Sequence, residues 1–491
     1  MSELKKAGRH GVVYALGIIL SKAVAFIMLP IYTRYLTPSD YGVLQLVTIT
    51  LEVVSIVAGS RLAGGVFRFY FKAKTDEERR AVLTTAFGLL VACYSIAAIL
   101  TALAAPLIAQ AVFNDPAYAR IIRVAAASLA FEGWLVVPFA YLRIRDRSSR
   151  FVAVNTCKLM LQLSMNVWFV VHLRMAAEGV LLSAAIANLV IGSYLAVSLL
   201  REAGFSLSRG AAVDILRFGL PLVGTQVATF VSTFGDRFFL QRAAGTDAVG
   251  LYGLAYEFGF LLVTLGFTPF NTVWEPLRFK MAERADRDEV YAKAFVYLNL
   301  LLITMAVGIT LFVGDALRIM ADPAFHSAAA IVPVVLVAYV LQSWQAFHNM
   351  GIMMAERTGY ITTANWVAAA VAVAGYVLLI PRYLGMGAAV ATVLAFAVRA
   401  VMVYAMSQRL WRIDYEWART CRLIALGAAV GIAGTFVRDR SLVRSVAIHA
   451  ALFLVYVAGV WMLRIIPDQD RFSLRTLLRS PASALAGQPG A

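Results

Sequence analysis

Long apolar runs recur through almost the whole chain, and they restrict its fold more than any other feature. Runs of about 20 residues follow one another from Gly11 to Leu463, and each is long enough to cross about 30 Å of hydrocarbon as a helix. The chain of 491 residues is 61% hydrophobic and 15% charged, with a mean hydropathy of +0.77. Soluble domains carry about 25% charged residues. The sequence therefore predicts an integral membrane protein and excludes a water-soluble fold.

The apolar runs are typical of helices and not of barrel strands. A membrane-spanning strand needs about 10 residues of alternating polarity, whereas stretches such as Phe87 to Ala105 do not alternate. The first run follows Lys5, Lys6 and Arg9 but ends without a small-residue cleavage site, so we interpret it as a retained helix. We predict an all-α membrane protein with about 14 transmembrane helices. The predicted helices lie near 11–33, 41–60, 81–109, 120–142, 151–173, 178–199, 213–235, 249–271, 291–313, 328–349, 361–380, 385–406, 420–437 and 443–463.

The distribution of positive charge predicts the orientation in the membrane. Lys and Arg are concentrated in the loops on the side of the amino terminus, for example at Lys72, Lys74, Arg79 and Arg80. An excess of Lys and Arg marks the cytoplasmic side, so both termini are expected there. The net charge of +16 then reflects topology, and we predict no nucleic-acid partner.

An internal repeat divides the chain. At an offset of 208 to 210 residues, LTPSDYGVLQL (36–46) aligns with AGTDAVGLYGL (244–254), which pairs Gly42 with Gly250. Because six crossings return the chain to its starting side, the repeat predicts two parallel six-helix lobes related by a pseudo-twofold axis along the membrane normal. The predicted divisions are the amino-terminal lobe 1–210, the carboxy-terminal lobe 211–410, an appended helix pair 411–467 and a flexible cytoplasmic tail 468–491.

Several segments together resemble a known transporter family. They are LGIILSKAVAFIMLPIYTRYLTPSDYGVLQLV (16–47), GVFRFYF (65–71) and VGLYGLAYEFG (249–259), with the basic turn before Asn155. They resemble the polysaccharide transporter, or lipid-linked oligosaccharide flippase, branch of the multidrug/oligosaccharidyl-lipid/polysaccharide (MOP) exporter superfamily. Fourteen helices is the number found in lipid II flippases, whereas O-antigen flippases commonly have twelve.

This resemblance implies two lobes around a central cavity in a multi-pass protein of the bacterial inner membrane. The implied activity is to flip an undecaprenyl-diphosphate-linked oligosaccharide from the cytoplasmic to the periplasmic leaflet by alternating access, for O-antigen, capsule or exopolysaccharide biosynthesis. The implied partners are the lipid-linked glycan, membrane lipids and glycan polymerase or assembly proteins. No cofactor is implied.

Cationic and amide side chains inside or beside the apolar runs are the candidate substrate site. An ionisable group at the bilayer centre costs at least about 2.5 kcal/mol, so it needs a partner or a hydrated cavity. Cations there would attract a diphosphate through charge-assisted bonds. The alternatives are ion pairs of Lys22 with Glu52 and Lys158 with Glu132, or side chains that simply reach the interface. The predicted substrate-binding residues are Lys22, Lys158, Arg61, Arg68, Gln45, Asn155 and Gln162.

Four carboxylates suggest a second role, because a buried carboxylate can carry a proton or bind a cation during transport. The predicted ion-coupling residues are Glu52, Glu132, Glu257 and Asp236. If ion coupling dominates, the chain is a cation-coupled multidrug or small-molecule exporter of the same superfamily, which is the main alternative to the flippase.

The sequence favours transport over catalysis. It has no P-loop, no dinucleotide fingerprint and no H-E-x-x-H, and its five histidines and three cysteines are too scattered for a metal site. We predict no catalytic residue, no metal and no enzyme activity. A polymerase or ligase of lipid-linked sugars is a less favoured alternative, because it would need a long periplasmic loop, and the longest candidate on that side, near Leu317 to Ala328, is short.

Overall fold

The computed structural model describes residues 28–59, 62–437 and 441–466, and every regular element within these ranges is a helix. Lys22, Arg61, most of the first predicted helix and the predicted tail 468–491 lie outside the described residues. The α-helices are α1 Leu29–Tyr35, α2 Pro38–Ala58, α3 Leu62–Lys72, α4 Asp76–Leu103, α5 Ala105–Phe113, α6 Ala119–Ile144, α7 Ser148–Asn166, α8 Ala176–Ala203, α9 Arg209–Phe234, α10 Asp236–Leu261, α11 Thr268–Ala282, α12 Arg287–Met320, α13 Val332–His348, α14 Met350–Met354, α15 Gly359–Leu410, α16 Trp417–Thr435 and α17 Leu442–Met462.

The all-α prediction is confirmed for this part of the chain, which contains eight helical stretches long and apolar enough to cross a membrane. A ninth is the pair Pro323–Ala330 and Val332–Met354, bent by 49°. Two of the eight are long enough for two crossings, because a crossing needs about 20 residues. Gln226–Ala282 has a non-helical break at Gly245, and Gly359–Leu410 has one at Leu384. The total of fourteen helices stays a prediction.

Helix ends differ from the predicted ones where capping residues or proline decide them. The loop expected around Lys72 to Arg80 is mostly helical, because Thr75 and Glu78 form a capping box that starts α4 at Asp76. The predicted helix 81–109 is divided at Ala104, where α4 ends and α5 begins with a proline in its first turn. The short helix α3 was not expected as a separate element.

Small residues let the helices of the first half approach closely, as is common in membranes. A Cβ on Gly133 of α6 would lie 2.8 Å from the Tyr94 side chain of α4, and one on Gly192 of α8 would lie 3.0 Å from Trp134. The Tyr94 hydroxyl lies 2.9 Å from Ser55 Oγ of α2, so these helices are also joined by a buried hydrogen bond.

The two halves meet most closely where α2 crosses α10. A Cβ on Gly42 would lie 1.9 Å from the backbone oxygen of Thr246, and a Cβ on Gly250 would lie 2.0 Å from the backbone oxygen of Pro38. Gly42 and Pro38 correspond to Gly250 and Thr246 at the repeat offset of 208. This reciprocal contact, the α2–α10 crossing, is the arrangement that a pseudo-twofold axis between repeats would produce.

The helix pair α16–α17 packs against α12. A Cβ on Gly427 would lie 3.0 Å from Ile303, and Thr304 Oγ1 lies 3.0 Å from the Tyr456 hydroxyl. At the other end of α12, Asp315 accepts a hydrogen bond from Ser445 at 2.6 Å and contacts His449 Nδ1 at 2.6 Å. Both apolar packing and a buried polar cluster therefore hold the pair to the second half of the chain.

Candidate functional site

A polar cleft lies between α2, α6, α7 and α8, with α9 at its edge. It has a volume of about 570 Å³. Because Gln226 of α9 belongs to the second half of the chain, the cleft faces both halves. We call it the central cleft. It is lined by Leu44, Thr48, Leu51, Glu52, Ser55, Ile56, Ser128, Glu132, Gln162, Val180, Leu181, Ala184 and Gln226.

The cleft brings together charged residues that the sequence places on three separate helices. Glu132 of α6 interacts electrostatically with Lys158 of α7 and with Glu52 of α2. Glu52 is exposed into the cleft, whereas Glu132 and Lys158 are half-buried. Charged groups at this depth require water or a polar partner, because burial in hydrocarbon is costly. Two carboxylates, Glu52 and Glu132, therefore line the described part of the cleft, and Lys158 interacts with one of them from outside the lining.

A second polar cavity, of about 190 Å³, lies between α1, α2, α7 and α10. We call it the inter-lobe pocket. Gln162 lines both this pocket and the central cleft, so the two are neighbours. The polar or aromatic residues that line the pocket are Tyr32, Tyr41, Gln162, Asn166, Glu257, Phe260 and Thr264.

One stretch of π-helix contributes to the wall of the inter-lobe pocket, and a second begins directly after a wall residue. Val167–His172 directly follows Asn166, and Leu262–Phe267 contains Thr264. A π-helical turn is rare in proteins overall, but the known examples are often found at functional sites. The wider turn points a side chain in a direction that a regular α-helix would not allow. Asn166 and Thr264, which come from the two halves of the chain, line the pocket at these irregular turns.

The remaining predicted site residues lie apart from these cavities. Gln45 lies at the α2–α10 crossing, where a Cβ on Gly253 would be 2.8 Å from its Cγ. Arg68 is exposed on α3, with its guanidinium 5.0 Å from the centre of the Phe218 ring of α9. Asn155 is half-buried on α7.

Asp236, one of the predicted ion-coupling residues, lies in a buried network at the start of α10. Its Oδ1 accepts a hydrogen bond from Arg237 at 2.8 Å, and its Oδ2 accepts from Tyr252, from Tyr256 at 3.3 Å and from Thr392 at 3.3 Å. Arg237 also lies over the Tyr256 ring, 4.2 Å from its centre. Asp236 lines neither cavity, and its carboxylate already forms an ion pair with Arg237.

Sequence reasoning missed Tyr32, Tyr41 and Thr264 as site residues. An aromatic residue in an apolar run is typical of a packed core, and nothing in its spacing separates a core position from a cavity wall. Asn166 carried a usable signal, because it continues the helical stripe of Asn155, Lys158 and Gln162 on α7.

An apolar groove of about 610 Å³ lies on the other side of the second half, between α12, α13, α15 and α16. Its walls are aliphatic, for example Val307 of α12, Val337 of α13 and Ile424 of α16, and Trp344 lies at one end of α13. Gly427 and Gly431 leave space in the groove along α16, because they carry no side chain. Such a surface accepts a hydrocarbon chain and offers almost nothing to a polar group.

Within the described residues, no group of three or more His, Cys, Asp or Glu side chains is arranged to hold a metal ion.

Comparison with known proteins identifies both a sequence family and a fold. The family profile described as "Polysaccharide biosynthesis protein" matches residues 31–330. No curated protein matches the sequence. The solved structure titled "Lipid II flippase MurJ, inward closed conformation" superposes with a TM-score of 0.76 at 10% identity, over 93% of this chain and 100% of that one.

Multidrug resistance transporters of the MATE family, within the MOP superfamily, share the fold as well. One in an inward-facing conformation gives a TM-score of 0.64 at 15% identity, over 80% of this chain and 97% of that one. One in an outward-facing conformation gives 0.54 at 15% identity, over 82% and 94%. At these identities the solved structures establish only the fold, which is that of a multi-pass membrane transporter.

Proposed function

The chain belongs to the polysaccharide biosynthesis protein family of MOP-type membrane transporters, and from this premise we propose that it flips a lipid-linked oligosaccharide across the bacterial inner membrane. The cargo moves from the cytoplasmic to the periplasmic leaflet and is linked through undecaprenyl diphosphate. The observation that carries the proposal is a polar, charged cleft in the first half of the bundle, bordered by Gln226 of the second half, together with a separate apolar groove.

The two surfaces match the two parts of such a cargo. The sugar and diphosphate cannot enter hydrocarbon without losing their hydration, so they need a polar route through the protein. The central cleft supplies hydroxyl, amide and charged groups for that route. The polyprenyl tail is as apolar as the bilayer and gains by following an aliphatic wall, which the groove beside α16 supplies. The pair α16–α17 would then help to bind the polyprenyl tail, because α16 forms one wall of the groove.

Alternating access would proceed by rocking of the two halves. The α2–α10 crossing seals them near the start of α2 and just after the break at Gly245 in α10, both of which are predicted to lie on the periplasmic side. The described state is then closed to the periplasm, and transport requires the crossing to open.

Lys158 is the cation that we assign to the diphosphate within the described part of the cleft. It interacts electrostatically with Glu132, and Glu132 in turn interacts with Glu52. A diphosphate that enters the cleft would attract Lys158 and repel both carboxylates, which favours the uptake of a proton or cation by Glu52 or Glu132. Substrate binding and ion binding are therefore expected to be coupled.

A second candidate is a cation-coupled exporter of small molecules, and the paired carboxylates favour it. Two carboxylates and one lysine give the described cleft a net negative charge, which suits a cationic drug. The two candidates differ at Lys158. A flippase needs this cation, whereas an exporter of cationic drugs gains from its removal.

The test replaces Lys158 by Gln in cells that depend on this chain for their surface polysaccharide. Loss of a charge-assisted bond is worth about 1.5 kcal/mol or more, which predicts at least about tenfold less polymer display at equal protein level. Lys280→Gln is the matched control, because Lys280 is an exposed lysine at the end of α11. Normal display by the Lys158→Gln variant would remove the role assigned to Lys158. Drug resistance that rises in that variant would favour the exporter.

A further inference from the structure

We propose that the inter-lobe pocket binds a sugar ring of the cargo through the Asn166 amide, an inference that rests on the proposed flippase function. The pocket is formed by Tyr32, Tyr41, Gln162, Asn166, Glu257 and Thr264. It adds a neutral recognition site to the charged central cleft.

Asn166 is the strongest evidence that the pocket accepts a polar ligand. Its side chain is 2% exposed, its Nδ2 donates to the Tyr32 hydroxyl at 2.7 Å, and its Oδ1 has no hydrogen-bond partner within the described structure. Turning the amide around would let Tyr32 donate to Oδ1 and would leave an amide N–H without a partner instead. In either orientation one polar group stays unpaired, which is costly in a buried position.

A sugar hydroxyl can satisfy either orientation, because it both donates and accepts hydrogen bonds. Thr264 and Gln162 offer further groups of this kind, and Glu257 offers a carboxylate that accepts from hydroxyls. A phosphate group fits less well, because it presents only acceptors and would be repelled by Glu257. The chemistry of the lining therefore favours a neutral, hydroxyl-rich ligand over an anion.

The aromatic residues give the pocket the second property of a carbohydrate site. A sugar ring has an apolar C–H face beside its hydroxyls, and it packs on an aromatic ring in proteins. Tyr32 is half-buried, Phe260 is 37% exposed, and both line the pocket. Amide, carboxylate and aromatic groups thus surround one small cavity.

The position of the pocket makes it sensitive to the transport cycle. Asn166 and Tyr32 come from the first half, and Thr264 and Glu257 come from the second. A sugar held by both sides would bind tightly only while the halves are close together. The pocket therefore selects the cargo in the periplasm-closed state and loses its hold when the α2–α10 crossing opens.

The experiment compares two probes bound to the full chain in nanodiscs. One is undecaprenyl diphosphate, and the other is the undecaprenyl-diphosphate-linked glycan extracted from source cells that lack this chain. The wild type is expected to bind the glycan-linked lipid at least about tenfold more tightly than the bare lipid. Asn166→Ala is expected to remove most of this preference and to leave the affinity for the bare lipid within about twofold.

Two further variants separate recognition from folding. Thr264→Val keeps the shape and removes one hydroxyl from the other half of the chain, and it is expected to reduce the preference by about threefold. Asn299→Ala is the matched control, because Asn299 is a buried asparagine outside both cavities, bonded to Phe295 and Trp344. It is expected to lower thermal stability and to keep the preference.

The outcomes distinguish this inference from the proposed function. If the wild type prefers the glycan-linked lipid and both pocket variants keep that preference, the sugar site is overturned while the flippase remains. A wild type that binds the two lipids equally also overturns the sugar site. Failure of the wild type to bind either lipid overturns the proposed function, and the sugar site with it. A preference lost equally in Asn299→Ala would assign the effect to folding and would overturn the role of Asn166.

Discussion

The proposal that the α2–α10 crossing opens and closes during transport can be tested by adding a methyl group at this crossing. In Gly42→Ala the new Cβ would lie 1.9 Å from the Thr246 oxygen, whereas ordinary contacts begin at 3.4 Å. The two helices must therefore separate by the difference, 1.5 Å. The obstacle is backbone, which cannot rotate away as a side chain can. Overpacking of this kind costs about 1–3 kcal/mol.

The cost of Gly42→Ala falls only on the state in which the crossing is closed. Each 1.4 kcal/mol changes a population ratio about tenfold, so the ratio of closed to open state should fall by about fivefold to about 150-fold. Gly250→Ala should act in the same way, because its Cβ would lie 2.0 Å from the Pro38 oxygen. The two substitutions press on one interface, so the double variant should lose less than the sum of the two losses.

Cysteine cross-linking measures how often the crossing is closed. Ser39 Oγ lies 2.6 Å from Thr246 Oγ1, so cysteines at these two positions should form a disulfide readily after Cys93, Cys157 and Cys421 have been replaced by Ala. Gly42→Ala is expected to slow cross-linking, at most by the factor by which the ratio of closed to open state falls. Reduction of the disulfide should restore transport in the variant with normal glycines.

Gly314→Ala is the control for this experiment. Gly314 lies inside α12 with nothing within 4 Å of an added Cβ, so its substitution brings the same gain in helix propensity, about 1 kcal/mol, without a clash. Equal cross-linking rates in Gly42→Ala and Gly314→Ala would refute the reasoning that the glycine is needed for closure.

Two predictions concern stability, each measured as the midpoint of thermal unfolding in detergent. Arg237→Met leaves the buried Asp236 carboxylate without its cation and should destabilise the chain by about 3–5 kcal/mol, so an unchanged midpoint would contradict the structural role of the pair. Asp315→Ala leaves Ser445 and His449 without their shared acceptor; we expect a loss of at least about 1–3 kcal/mol and easier proteolysis between α16 and α17, whereas wild-type protease resistance would contradict the proposed anchoring.

Several features of the fold and site followed from the sequence because their patterns are periodic. An apolar run predicted a helix near 81–109, and most of this range lies in α4, Asp76–Leu103. The repeat offset paired Gly42 with Gly250, which the structure places in direct contact across the two halves. Of the predicted site residues, Glu52 and Glu132 line the central cleft, and Lys158 interacts electrostatically with Glu132; their roles stay predictions.

The other features of the site depend on how separate helices pack against one another, and a local sequence pattern does not predict this packing. Glu257 and Asp236 were both predicted as ion-coupling residues, yet Glu257 lines a cavity and Asp236 lies in a buried hydrogen-bonded network. Tyr32 and Tyr41 look like core residues in sequence and become cavity walls only because α1, α2, α7 and α10 converge. The π-helical turns beside Asn166 and Thr264 also have no sequence signature.

The central claim, that this chain flips a lipid-linked oligosaccharide, is tested most directly in proteoliposomes. The glycan-linked lipid extracted from source cells is reconstituted with the purified chain, and periodate added outside oxidises only the sugars of the outer leaflet. With the wild type, sugars of the inner leaflet are expected to become oxidisable over time, and Lys158→Gln should slow this step. Oxidation that stays limited to the outer leaflet, as in liposomes without the protein, would contradict the account.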